Sequence, residues 1–261
     1  MDTQTQDPPV AQRKLVAPRG KKSVGLPSSG MLLLVGHPKS GKTTLAAAFP
    51  DSYVLELEQG GGDHVAGRID DIANLEDFRS AFEAALADES IRTIVVDTID
   101  VLTEWLCDEI AGARGLSKIT ERKPGVDGFE MWGEMSERID GFIKAIKSSG
   151  KMFILLAHCR EPKLDDKNQL ITPAGINAPG KAGSKLAAAA DMIGYTYKKQ
   201  VGAATEYNLT FQGGPLGLWG SRIEEVNDKT VRLGKDNPYA SFAALFGTNG
   251  NGNGKKGGKK S

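Results

Sequence analysis

Two cysteines in 261 residues are too few for a disulfide framework. Cys107 and Cys159 stand inside apolar patterns and lack metal-ligand spacing, so both are expected to be buried free thiols. The three histidines are scattered, with no H-x-x-x-H or similar spacing, which argues against a structural zinc site. No apolar run approaches the ~20 residues of a membrane span. The opening MDTQTQDPPVAQRKLV has no apolar core of the secretory type. A cytoplasmic protein without a membrane partner is therefore expected. No internal repeat is present. Net charge is also absent, with 33 basic and 33 acidic residues, yet the zero conceals a pattern. Residues 1–30 carry five basic and two acidic residues, and residues 248–261 carry four lysines and no acid. Basic ends on an acidic middle suit arms that touch a polyanion, or serve simply for solubility.

What is present centres on MLLLVGHPKSGKTTL, residues 31–45. An apolar run stops at Gly36, and G-x-x-x-x-G-K-[ST] follows as Gly36, His37, Pro38, Lys39, Ser40, Gly41, Lys42 and Thr43, with Thr44 beyond. An alanine-rich run suited to a helix comes next. Strand, glycine-rich loop and helix in this order form a phosphate-binding P-loop. Backbone N–H groups turn inward around a phosphate, and the helix adds its positive dipole end. Lys42 is expected to reach the β- and γ-phosphates of ATP, and the Thr43 hydroxyl to ligate Mg²⁺.

Residues 1–29 lack periodicity and read as a flexible basic arm, and the Gly/Asn/Lys-rich 248–261 as a flexible tail, around a domain spanning 30–247. Within it, strands are expected at 31–36, 53–58, 91–97, 151–158, 191–198 and 204–211, with a further short β element in 220–235. Helices are expected at 42–49, 75–87, 99–111, 129–148, 184–190 and 238–246. This alternation is that of an α/β fold, a mainly parallel sheet flanked by helices, with antiparallel strands added near the C-terminus. Two stretches, 112–127 and 160–183, read as long loops.

Three strand ends sharpen the site. Asp97 closes the buried run IVVD, where a carboxylate can bind Mg²⁺, and Thr98 follows it. Glu58 closes the second strand beside Gly60-Gly61-Gly62, where it can orient an attacking water as a general base, with Glu56 as its competitor. His158 ends KMFILLAH and can hydrogen-bond the γ-phosphate. His37 fills a variable loop position, and His64 has no assigned role.

These pieces resemble a RecA-like ATPase core over about residues 30–246, carried by the P-loop, VLELEQG, IVVDT and ILLAH. The resemblance implies that Glu58 activates water and that His158, where RecA has glutamine, senses the γ-phosphate. The histidine, the GxPKSGKT loop and the small size are similar to phage-type RecA-core proteins, including single-strand annealing proteins, which would work in the host cytoplasm. It further implies a ring or filament with nucleotide between subunits, a cationic finger from the neighbour (Lys198, Lys199, Arg222, Arg232 or Lys235), and a single-strand-binding or recombination partner. The two long loops would bind single-stranded DNA through Arg114, Lys118, Arg122, Lys123, Arg160, Lys163, Lys167, Lys181 and Lys185. Neither loop carries an aromatic residue, although Phe129 lies just past the first. A nucleotide or small-molecule kinase and a non-hydrolysing ATP switch use the same P-loop; the sequence shows no arginine-rich lid of the kinase kind.

Overall fold

In the computed structural model, which describes residues 27–247 apart from 59, 215 and 216, strand β1 (Gly30–Gly36) lies inside the sheet. Its sequence GMLLLVG offers no polar face to water, so both faces must be covered. Met31, Leu33 and Val35 bury into one layer, and Leu32 and Leu34 into the other. At roughly 1.5–3 kcal/mol for each fully buried side chain, this strand is a main source of core stability.

The chain continues through α1 (Lys42–Ala47), β2 (Ser52–Glu56), β3 (Arg68–Asp71), α2 (Leu75–Ala87), β4 (Thr93–Asp97) and α3 (Ile99–Gly112). After an irregular stretch come α4 (Gly128–Ser149) and β5 (Met152–Arg160). Three short strands follow, β6 (Lys163–Leu164), β7 (Leu170–Thr172) and β8 (Gly175–Ile176), then α5 (Ala182–Ala189). The last part is β9 (Met192–Val201), β10 (Ala204–Thr210), β11 (Gly220–Ser221), β12 (Thr230–Leu233), α6 (Pro238–Ala243) and a 3₁₀ turn at Ala244–Phe246.

The main sheet runs β12-β10-β9-β1-β5-β4-β2-β3. From β9 to β3 all neighbours are parallel, while β10 joins β9, and β12 joins β10, in antiparallel register. Helices α2 to α5 cover one face, and α1, α6 and the 3₁₀ turn cover the other. Register brings the functional strand ends together: Gly36 pairs with His158 and with Thr196, and Glu56 pairs with Asp97.

Local chemistry sets the helix ends. The Asn74 side chain accepts the N–H groups of Glu76 and Asp77, each at 3.0 Å, so α2 starts at Leu75 as its cap residue predicts. Asp127 accepts Phe129 N–H at 2.8 Å to open α4, and Gly150 closes it in the left-handed conformation.

Several expectations need correction. The second strand ends at Glu56, not Glu58, because β4 turns into α3 after Asp97 and leaves the next residues no ladder to join; the N–H groups of Leu57 (2.6 Å) and Glu58 (3.3 Å) both fold onto the Asp97 carbonyl instead. Strand β5 runs two residues past His158 because β8 pairs with Cys159 and Arg160. Residues 160–183 are therefore partly ordered as β6, β7 and β8. The stretch 113–127 holds no helix or strand but is pinned by buried Leu116 and Ile119. Edge strand β3 has the polar sequence RIDD and gave no apolar signal. Cys159 is only half-buried. The expected tail lies outside the described residues, as does all but the end of the expected N-terminal arm. Among the described residues no helix is long and apolar enough to cross a membrane.

Candidate nucleotide site

The loop from Gly36 to Gly41 is shaped by close approach. A Cβ on Gly36 would sit 2.4 Å from Thr196 Oγ1 and 2.6 Å from the Thr196 carbonyl. Gly41, at φ 92°, and Lys39, at φ 63°, take left-handed backbone to close the turn. Ser40 and Thr196 hydroxyls share a buried 2.7 Å hydrogen bond, which ties the loop to β9. The N–H groups of the first turn of α1 have no helical partner of their own, which leaves them for an anion.

Lys42 is buried, and its ammonium donates to the carbonyls of Gly36 (3.0 Å) and His37 (3.1 Å). Burial pushes its pKa down, and the negative charges of Asp97, Asp100 and Glu58 work against that shift. Thr43 Oγ1 donates to Asp97 Oδ2 at 2.6 Å. Burial pushes the Asp97 carboxyl up, opposed by that hydrogen bond and by Lys42. A hydroxyl and a buried carboxylate meeting beside a phosphate loop are the hard oxygen donors that Mg²⁺ takes, so these residues fit that ion. The Asp97–Thr98 peptide bond is cis, and the buried Thr98 hydroxyl has no hydrogen-bond partner among the described residues.

The two glutamates separate. Glu56 is 3% exposed and accepts the Gly62 N–H at 2.5 Å. Gly60-Gly61-Gly62, expected to be a flexible neighbour of Glu58, instead wraps the Glu56 carboxylate: a Cβ on Gly62 would lie 2.6 Å from Glu56 Oε2. Glu58 is half-exposed, and its Oε2 is 3.7 Å from His158 Nε2. Glu58, His158, Lys42, Thr43, Asp97 and His64 all border one cleft of about 1200 Å³.

The far wall of that cleft was not anticipated from this chain, and Lys235, expected as a candidate finger from a neighbour, borders its own chain's cleft. Tyr207 comes from β10, Leu233 from the end of β12, Gly234 and Lys235 from the link to α6, and Pro238 opens that helix. The Tyr207 ring packs against Gly41, where an added Cβ would be 3.1 Å away. Only the antiparallel register of β10 on β9 brings these residues to the P-loop, and that register is not a sequence motif. His37, in the variable loop position, is 3.2 Å from Glu161.

Of the basic loop residues, Lys118, Arg122, Lys123, Arg160, Lys163, Lys167 and Lys181 are exposed. Two others are engaged in ion pairs. Lys185 lies on α5 and is bound to Asp140 at 2.5 Å, and Arg114 is bound to Glu134 at 2.9 Å. Phe129 projects beside the first loop at 88% exposure.

Sheet order, loop and carboxylate together define a RecA-like P-loop ATPase domain. The model of a family of AAA domains matches residues 29–223, and the chain belongs to that family. Among solved structures, a KaiC-like protein from the hyperthermophilic archaeon Pyrococcus horikoshii OT3 matches with TM-score 0.45 and 12% identity, over 80% of this chain and 87% of that one. The flagellar accessory protein FlaH from Methanocaldococcus jannaschii matches with TM-score 0.39 and 9% identity, over 80% and 86% of the two chains. No curated protein matches.

Proposed function

We propose that this chain is a Mg²⁺-dependent ATPase that binds single-stranded DNA in phage-type recombination, annealing or repair. The observation that carries the reading is the Glu58–His158 pair. It faces the cleft that holds Lys42, Thr43 and Asp97, and β5 runs from His158 straight into Arg160 and the second basic segment.

The P-loop N–H groups and Lys42 bind the phosphates, and Thr43 with Asp97 would hold Mg²⁺, which when bound neutralises phosphate charge. Glu58 takes a proton from water as the water oxygen bonds to the γ-phosphorus and the bond to ADP breaks. His158 hydrogen-bonds the γ-phosphate and, on the same strand as Arg160, carries its presence to the DNA-binding segment. Phe129 supports the DNA reading, since a largely solvated ring forgoes much of the roughly 1.5–3 kcal/mol of burial and is free to stack on a base. Lys118, Arg122, Lys123, Arg160, Lys163 and Lys181 neutralise phosphates around it. The chain works as a homo-oligomer, with a neighbour's cation, such as the exposed Lys199, completing the nucleotide site.

The test is ATP turnover with and without single-stranded DNA in wild type, Lys42→Ala and Glu58→Gln. DNA should raise wild-type turnover. Lys42→Ala should lose nucleotide binding, and Glu58→Gln should bind ATP normally but turn over about 100-fold more slowly. Phosphoryl transfer to a nucleoside monophosphate without any DNA effect would replace this reading with a kinase. Tight ATP binding with negligible turnover would replace it with a switch.

A further inference from the structure

Asp100, in the first turn of α3, is 5% exposed. Its Oδ2 accepts the backbone N–H of His158 at 2.9 Å. Its Oδ1 is buried without a hydrogen-bond partner among the described residues, and lies 3.9 Å from His158 Nδ1. The other ring nitrogen, Nε2, is the one that faces Glu58. On its far side His158 is held by Asn177, whose N–H donates to the His158 carbonyl at 3.1 Å.

A favourable helix dipole explains an acid in a first turn, but not one sunk beneath the sheet end with an unpaired oxygen. Burial pushes the Asp100 carboxyl up, opposed first by the His158 N–H and charge; the Asn177 side chain lies near it but outside hydrogen-bond geometry, so Oδ1 stays unpaired among the described residues. An unpaired buried carboxylate oxygen is costly, and the nearest ring nitrogen is a short rotation from satisfying it. A carboxylate accepts from Nδ1–H and a γ-phosphate accepts from Nε2–H, so a ring that serves both carries a proton on each nitrogen.

We infer that Asp100 is a positioning residue of the nucleotide site: it accepts Nδ1–H of His158, favours the ring protonated on both nitrogens, fixes its direction, and so presents Nε2–H to Glu58 and the γ-phosphate. This rests on the cleft being an ATPase site. Because Asp100 also holds the His158 main chain, it ties the phosphate side of β5 to the strand end that continues into Arg160. Asp100 touches neither water nor phosphate and acts through the histidine.

The experiment compares turnover and ATP affinity in wild type, Asp100→Asn, His158→Ala and the double variant. Asn keeps an acceptor for the His158 N–H but turns an N–H₂ toward Nδ1, which cannot accept Nδ1–H and so removes the support for the doubly protonated ring. Asp100→Asn should lower kcat about tenfold or more, with ATP affinity within about twofold. In the His158→Ala background the same change should cost nothing further. Full kcat in Asp100→Asn, or a loss that multiplies with that of His158→Ala, overturns the inference. An independent measurement covers a variant that does not fold. The nitrogen-15 shifts of the His158 ring in nucleotide-bound wild type, assigned by their loss in His158→Ala, should show both nitrogens protonated; a neutral ring with a proton on one nitrogen alone overturns it. Failure of the ATPase reading looks different, since the wild type itself then shows no turnover, and the protonation of the ring still decides the role of Asp100.

Discussion

The Glu56 carboxylate accepts the Gly62 N–H at 2.5 Å, while Glu58, two residues on, is left in the cleft. Alternation along a strand cannot separate residues two apart, and here the strand stops between them. Glu56→Ala should strand a buried N–H and lower stability by about 1–3 kcal/mol. Glu56→Gln keeps an acceptor and should keep turnover. Thermal melts and ATPase rates on both variants check this. A Glu56→Gln protein as slow as Glu58→Gln would move the general base to Glu56.

Gly36 has no room for a methyl group. Alanine there would meet both the Thr196 hydroxyl and its carbonyl. Gly36→Ala should destabilise by about 1–3 kcal/mol through overpacking and should abolish nucleotide binding. Removing the hydroxyl with Thr196→Ala should not rescue it, because the carbonyl at 2.6 Å remains. Rescue would show that the side chain alone sets the fit.

Much of this arrangement was legible because it rests on periodicity and on one motif. The apolar runs of β1, β4 and β5 had to be strands covered on both faces, and Asn74 marked the start of α2. The P-loop residues are identified by spacing alone. What could not be read depends on tertiary register. β3 shows only RIDD, since an edge strand needs no apolar face. The engagement of Lys185 by Asp140 joins α5 to α4, 45 residues apart. Asp100 resembles an ordinary first-turn acid until β5 lies beside it. Tyr207 and Lys235 reach the cleft only through the late antiparallel strands.

Glu109 joins three helices, since Arg79 of α2 and Arg138 of α4 both bond to it. The Arg79 hydrogen bond, with Arg138 added, holds its carboxyl down at about 2 against the usual 4.5. A depressed folded pKa stabilises above the unfolded value and is lost as pH falls through the folded one. The melting-temperature gap between wild type and Glu109→Gln should therefore be largest above about pH 4.5 and should shrink toward pH 2. The carboxylate is 39% exposed, so the gap should be small and should narrow further in salt. A gap unchanged between pH 6 and about pH 2 would show that packing, not charge, explains it.

The salt dependence of single-stranded DNA binding separates the charged contacts from the stacked one. Each lost phosphate contact should flatten the plot of log affinity against log salt by about 0.7. Arg122→Ala, Lys123→Ala and Lys163→Ala combined should flatten it by about 2. ATP affinity should not change, because none of the three borders the nucleotide cleft. Phe129→Ala should behave differently. It removes a stacking ring and no charge, so affinity should fall by about 1–3 kcal/mol at every salt concentration, with the slope intact. Its melting temperature should stay put, since the ring is 88% exposed. Lys185→Ala is the control, because its ammonium is held by Asp140 at 2.5 Å and should leave the slope alone. A slope that responds to Lys185 but not to the loop cations would put the DNA path along α4 and α5 instead of across the two loops.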